Sequence, residues 1–192
     1  MSPGVRDLTR DAVRTHLAEA AYDCFLARGF ESTTVEDAAR AAGVSRATFF
    51  RYFRSKEDAV IVAMASAGLD FGARLRSADV HDGLPVWQHL RAAFEPAVES
   101  ADADPERVRA KARMISSVPS LAAHLAERRR AQETLLADAL AEQLHDPLTA
   151  KALVAAALAA FDLAWREWAA SSAPFREVLD AVFARLDVTP RS

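Results

Sequence analysis

The sequence predicts an all-α chain of about nine helices, with three short helices grouped at the N-terminus and a longer helical body after them. Three observations carry this. Apolar residues recur at spacings of three and four nearly throughout, helix-capping residues follow one another closely in the first 60 positions, and no stretch alternates polar and apolar residues as a strand would. The bulk composition agrees: 51% hydrophobic and 27% charged, with only six Gly and eight Pro in 192 residues, is the balance of a well-packed helical protein rather than a disordered one.

The first helix is expected from about Thr9 to Arg28, because Val13, Leu17, Ala20, Ala21, Cys24 and Phe25 share one face, and Gly29 stops it. Cys24, alone in the chain, is expected as a packed thiol on that face. Thr33-x-x-Glu36 fits a capping box for the second helix, and Thr34 with Asp37 fits almost as well. That helix ends near Ala42. Gly43 makes a turn, Ser45 is a ready N-cap, and a third helix carries Arg46 to Tyr52. Ser55-x-x-Asp58 opens a fourth, expected to reach about Arg76. Asp82, Gly83 and Pro85 mark a loop before a helix holding Trp87, Leu90, Phe94 and Val98. Asp104-Pro105 opens the next, Pro119 closes it, and a segment from about Ser120 to Leu144 is interrupted by the basic knot Arg128, Arg129, Arg130. Asp146-Pro147 precedes a helix to Ser171 with large residues Val154, Leu158, Phe161, Trp165 and Trp168 beside a smaller stripe of Leu153, Ala157, Ala160 and Ala164. A last helix presents Phe175, Val178, Leu179, Val182, Phe183 and Leu186 on one side.

Charge is unevenly distributed. Residues 1–56 hold nine Arg and Lys against seven Asp and Glu, and Arg40 to Lys56 contains five cations with no acid, a footprint able to neutralise phosphates. The same stretch meets the packing demands of a helix-turn-helix: Ala39 is small where two helices cross, Gly43 permits the sharp turn, and Phe49 is apolar on the inner face of the second helix. Val35, Ala38, Val44 and Phe53 are available to complete the small core. Arg46, Thr48 and Arg51 then point outward, where guanidinium and hydroxyl groups meet base edges or phosphates.

The segment from about Thr9 to Val60, above all GFESTTVEDAARAAGVSRATFFRYFRSKEDAV, closely resembles the DNA-binding domain of TetR-family regulators. The pairs Gly29-Phe30 and Thr34-Val35, the turn Ala42-Gly43-Val44-Ser45, and the run from Thr48-Phe49 through Tyr52-Phe53 to Lys56 fall at that family's spacings without a gap. The resemblance implies a helix-turn-helix domain over 1–55 and a helical ligand-binding and dimerisation domain over 56–192. It also implies that Thr34, Tyr52 and Lys56 touch phosphates while Ser45, Arg46, Ala47, Thr48 and Arg51 form the recognition helix. Phe50 stands where the family usually has tyrosine, which favours a packing role there over a backbone contact. Arg6, Arg10 and Arg14 are available for further backbone or minor-groove contacts, or for simple solvation. The stretch Arg113 to Leu144 is weakly similar to a TetR subgroup whose C-terminal domain binds acyl-CoA-like ligands.

Such a regulator reads double-stranded operator DNA as a homodimer, and the last two helices are the candidates for its interface, through Leu153, Ala157, Ala160 and Ala164 with Phe175, Leu179, Val182 and Leu186. The same stripes serve equally as an internal core. Phe71, Trp87, Phe94, Arg113, Met114, Phe161 and Trp165 are candidates to line an effector cavity for an acyl-CoA-like or other hydrophobic small molecule, with Trp168 beside them and Arg109 or Arg113 holding an anion. Asp162 and Arg166, four apart, are expected to pair with each other. The five histidines show no metal-ligand spacing, and neither a phosphate loop nor a nucleophile setting is present, so no enzyme, metal or cofactor is expected. The N-terminus lacks the apolar stretch of a secretory signal, and the longest weakly charged run is about a dozen residues against the roughly 20 of a spanning helix. The expectation is a cytoplasmic protein without membrane contact. The rival is a helical adaptor that binds protein rather than DNA; steep salt dependence of DNA binding separates the two.

Overall fold

The structure, a computed structural model, describes residues 5–66, 71, 74–75, 80 and 83–186. Arg76 and Asp82 lie outside the described residues, as does the side chain of Arg6. Ten helices are assigned among the described residues: α1 (Val5–Arg28), α2 (Val35–Ala41), α3 (Arg46–Tyr52), α4 (Lys56–Ser66), α5 (Val86–Ala93), α6 (Glu95–Ala103), α7 (Pro105–Ser117), α8 (Pro119–Leu144), α9 (Pro147–Ala169) and α10 (Phe175–Leu186). No strand occurs among them. The chain divides into two compact units, one of residues 1–67 and 114–125, the other of 68–113 and 126–192.

In the first unit α1 packs on α2 and α4, and α2 packs on α3. The predicted face of α1 is buried at Leu17, Ala21, Cys24 and Phe25, while Val13 is 39% exposed and marks where that face runs out. Gly29 ends the helix at φ +84°, a left-handed value that favours glycine. The capping box of α2 belongs to Thr34 and Asp37 and not to Thr33 and Glu36: Thr34 Oγ1 accepts from the Asp37 amide at 3.1 Å, and the Asp37 carboxylate accepts from the Thr34 amide at 3.3 Å. Thr33 is instead buried, its hydroxyl donating to the Gly29 carbonyl at 2.7 Å. Lying inside, it is in no position to cap.

The second unit is built on α9, which packs against α5 and α10. By length and composition α9 could cross a membrane, but its large residues Val154, Phe161, Trp165 and Trp168 are buried in this core and its sequence carries Lys151, Asp162, Arg166 and Glu167. It reads as the central helix of a packed domain. Asp146 caps it by accepting from the Leu148 and Thr149 amides, both at 3.1 Å. Two expectations about helix continuity are corrected. The helix expected to run through Phe94 is split into α5 and α6 there, because Pro96 has no amide hydrogen to continue the ladder and sits in the first turn of the next helix. Conversely, Arg128 to Arg130 do not interrupt α8, since arginine is a good helix former and only tight clustering suggested a break.

Candidate nucleic-acid interface and effector site

The turn between α2 and α3 is a Schellman motif: the Gly43 amide donates to the Arg40 carbonyl at 3.0 Å and the Val44 amide to the Ala39 carbonyl at 2.9 Å. Gly43 takes φ +71° at the position where the motif needs a left-handed residue. Ser45 then restarts the chain as N-cap of α3, accepting from the Thr48 amide at 3.1 Å. Seven helical residues give α3 little intrinsic stability. Phe49 supplies the anchor: it is fully buried, its ring 4.8 Å from that of Phe53, and the small residues Ala38 and Ala39 of α2, the helix that α3 packs on, are buried too. Val35 and Val44 are only half-buried and border that core.

With Phe49 inward, Ser45, Arg46, Ala47 and Arg51 are exposed and Thr48 and Tyr52 half-exposed on the outer side of α3. Arg46 pairs with Glu36 at 3.0 Å and lies over the Phe50 ring at 5.5 Å; both charged partners are largely exposed, so the pair is worth about 0–1 kcal/mol and is easily exchanged for another anion. Ser45 Oγ donates to Thr48 Oγ1 at 3.1 Å. Arg51 lies over the Tyr52 ring at 5.4 Å. Phe50 is 44% exposed and touches Phe49 only edge-on, so the expected packing role reduces to a rim contact: its neighbour Phe49 takes the single inward position.

Three residues expected at phosphates or in solvent have structural partners. Thr34 is exposed, and besides capping α2 its hydroxyl donates to Asp37 at 2.6 Å. That hydrogen bond, with help from the Thr34 amide, holds the Asp37 carboxyl below its ordinary value. The Lys56 ammonium donates to the Phe30 carbonyl at 2.9 Å, with Thr33 O at 3.5 Å, and sits 4.3 Å above the Phe30 ring. Arg14 is not simply solvated. Its Nε donates to the Tyr52 carbonyl at 3.1 Å, closing the end of α3, and its Nη2 meets both Asp58 oxygens at 3.3 Å. Arg14, Arg10, Asp11 and Tyr52 line an open groove beside that end of the helix.

In the second unit the aromatic candidates form one cluster. Phe71, Phe94 and Phe161 have ring centroids 4.6 to 5.0 Å apart, Trp165 stacks on Phe161 at 5.8 Å, and Trp168 and Phe175 continue the series. Trp87 joins through Phe183, its indole donating to the Phe183 carbonyl at 3.0 Å. Arg113 does not join them. It is exposed, with its Nε toward the Arg109 carbonyl at 3.4 Å, and Met114 belongs to the first unit. Arg109 spends its Nη2 on the Ala173 carbonyl at 2.9 Å and lies over Trp168 at 4.9 Å.

The residue that sequence reasoning missed is Arg129, whose side chain is only 13% exposed. Its guanidinium lies over Phe161 at 4.8 Å and Phe71 at 5.4 Å, and its Nη2 is 2.8 Å from Asp162. Asp162 therefore pairs across helices and not with Arg166, which is exposed on the same helix. Burial pushes the Asp162 carboxyl up and the Arg129 guanidinium down, in each case against the attraction of the partner charge. The stripe of small residues on α9 is likewise relocated. Ala157, Ala160 and Ala164 are buried in the core, as are Phe175 and Leu179 of α10, so they are no subunit interface. The outward stripe of α9 is Leu148, Ala152, Ala155, Ala156, Ala159 and Leu163, with Leu148 78% and Leu163 41% exposed.

Residues 17–61 match the family described as bacterial regulatory proteins, tetR family, and residues 84–189 match the MftR C-terminal domain. The chain is 29% identical over 191 residues to the HTH-type transcriptional regulator TcmR of Streptomyces glaucescens, covering 94% of this chain and 84% of that one. Over 120 residues it is 30% identical to the putative mycofactocin biosynthesis transcriptional regulator MftR of Mycobacterium tuberculosis, 60% of this chain and 57% of that protein. Among solved structures it is similar to FadR of Bacillus subtilis in complex with stearoyl-CoA, with TM-score 0.62, 17% identity and coverage of 90% of this chain and 97% of that one. The FadR repressor of Thermus thermophilus in complex with lauroyl-CoA gives TM-score 0.57, 24% identity and coverage of 93% and 96%.

Proposed function

This chain belongs to the TetR family of transcriptional regulators, which are not enzymes, and from that premise we propose that it is a repressor which binds a palindromic operator as a homodimer and is released by a small hydrophobic or acyl-CoA-like effector. The observation that carries the reading is the division of α3 between one buried anchor, Phe49, and an outward set of Ser45, Arg46, Ala47, Thr48 and Arg51, held at a Schellman turn. A short helix so mounted presents guanidinium and hydroxyl groups to base edges while Thr34, Tyr52 and Lys56 lie at its margins for phosphates. The homodimer rests on the exposed apolar stripe of α9, where alanines allow close approach of a second copy. The effector class is supported by the aromatic cluster of the second unit and by the acyl-CoA ligands of the two FadR proteins. The protein acts in the cytoplasm, without a membrane.

Release runs through α4, which packs on α1. Glu57 on α4 accepts from the Ser120 hydroxyl of α8 at 3.1 Å within the first unit, and α8 continues into the effector-binding body. A shift of α8 on effector binding is thereby passed to α4 and α1 and changes the separation of the two recognition helices. Coupling of about 1–3 kcal/mol weakens operator binding roughly 5- to 150-fold.

The test is fluorescence anisotropy of labelled DNA from the region upstream of the protein's own gene, across a salt series, with and without dodecanoyl-CoA. Specific binding that steepens with falling salt and weakens with the thioester supports the reading. Arg46→Ala should cost about 1–3 kcal/mol on the preferred sequence and relax preference at one base position. Absence of sequence preference in the parent protein would sink the proposal.

A further inference from the structure

Buried donors without acceptors are costly, and the second unit holds two such nitrogens on one side chain. The Nε and Nη1 of Arg129 are both inaccessible to solvent and have no hydrogen-bond partner, while Nη2 alone reaches Asp162. The ring faces of Phe71 and Phe161 stabilise the cation but accept no conventional hydrogen bond. Arg109 differs in degree: its Nη1 donates to Glu106 and its Nη2 to the Ala173 carbonyl, leaving Nε alone buried and unpartnered, whereas Arg129 leaves two of its three nitrogens so. Both nitrogens are buried in a guanidinium that lies over the rings of Phe71 and Phe161. What completes them must bring an oxygen atom and tolerate aromatic walls.

We propose that Arg129 is the effector's polar anchor, donating Nε–H and Nη1–H to the acyl oxygen of a medium- or long-chain acyl compound whose tail lies against the Phe161–Trp165 side of the ring cluster. This rests on the effector-responsive reading above and deepens it by naming the residue and the ligand group it takes. Two sources share that chemistry, a free carboxylate and a thioester carbonyl. Asp162 separates them: a carboxylate brings a second negative charge to a cation that Asp162 already holds at 2.8 Å, whereas a thioester carbonyl is neutral. The same helix α8 carries Ser120 into the first unit, nine residues before Arg129, so seating an acyl oxygen bears directly on the helix that contacts α4.

The experiment measures binding to the full chain by quenching of tryptophan fluorescence, with dodecanoyl-CoA, dodecanoate and, as a probe with no acceptor oxygen, decyltrimethylammonium, all below their micellar concentrations. Arg129→Gln should weaken at least one acyl probe roughly 10- to 150-fold, the range for hydrogen bonds from a charged donor, and leave the ammonium probe unaffected. Arg130→Gln, one residue away and exposed, should bind all three as the parent does. Asp162→Asn should tighten dodecanoate if the carboxylate is the ligand and move dodecanoyl-CoA little if the thioester is. Arg129→Gln that is folded by circular dichroism yet binds both acyl probes unchanged overturns the proposal and leaves a buried water as the acceptor. Should Arg129→Gln not fold, Arg129→Lys, which keeps the charge but lacks the Nε–H and Nη1–H pair, is measured in its place, and unchanged binding of both acyl probes overturns the proposal equally. Arg129-dependent acyl binding in a chain that shows no sequence preference for DNA upholds the anchor while the repressor reading fails.

Discussion

Replacing Lys56 with Met tests whether a residue expected at the DNA backbone is first of all a bracket for the fold. The substitution keeps an unbranched apolar stem and removes the ammonium. Lost with it are the 2.9 Å hydrogen bond to the Phe30 carbonyl and the cation held 4.3 Å above the Phe30 ring. The 3.5 Å approach to Thr33 is too long to count for much. A charged donor contributes about 1.5–3 kcal/mol, and the low end applies because Lys56 is only half-buried. The cation–π contact adds about 0.5–1 kcal/mol. The sum is about 2 kcal/mol, which for a chain of this size lowers Tm by about 4–8 °C. Thermal unfolding followed by circular dichroism at 222 nm reads it, with Lys56→Arg recovering part of the loss by keeping the charge. One N–H of the ammonium is left for a phosphate, so operator binding by Lys56→Met, measured well below its Tm, should also weaken alike on all sequences and lose about one unit of salt slope per protomer. An unchanged Tm refutes the bracket, and an unchanged salt slope refutes the phosphate contact.

Gly43→Ala should destabilise by about 1–2 kcal/mol in urea titration, because φ is +71° and the added Cβ meets nothing within 4 Å, so the cost is backbone strain without a clash. With the outward stripe of α9 as the proposed dimer interface, Ala156→Glu, at its exposed centre, should give a monomer in light scattering where the parent is a dimer, and weaken operator binding while leaving the helical circular dichroism intact. The depressed Asp37 carboxyl, held down by the Thr34 hydroxyl, contributes stability that is present above its unfolded value near 3.9 and lost as pH falls through the lower folded value. Thr34→Val should therefore cost more at pH 7 than near pH 3 in matched urea titrations, and an equal cost at both pH values would mean that only the cap, and no carboxylate stabilisation, had been removed.

Much of the fold was legible because short-range chemistry specifies it. Gly29, Gly43, Ser45 and Asp146 each act within a few residues of their own position, and each does what its side chain, or lack of one, dictates locally. The errors came where two candidates compete for one local role. Thr33 looks slightly the better cap on paper and Thr34 almost as good, and burial of Thr33 decides for Thr34. The wide apolar face of α9 posed the same difficulty on a larger scale. Two stripes of small residues lie on it about a quarter-turn to a half-turn apart, and only the neighbours α5 and α10 determine which one faces inward.

The candidate sites divide along the same line. Arg46, Thr48 and Arg51 could be read as outward because Phe49, the apolar residue among them, fixes the helix's rotation. No comparable marker exists for a cation whose partners are distant in sequence. Lys56 and Arg14 look like surface charges until the chain brings Phe30 and Asp58 to them, and Arg129 sits between two other arginines on a helix of low amphipathicity, where nothing local sets it apart. Burying one of three adjacent guanidinium groups opposes its own hydration, so the fold must hold it by the ion pair with Asp162 and the faces of Phe71 and Phe161. That is a costly arrangement for packing alone, because an apolar residue of similar volume would fill the space without the desolvation cost, and its retention is best understood if the cation meets something besides its own protein.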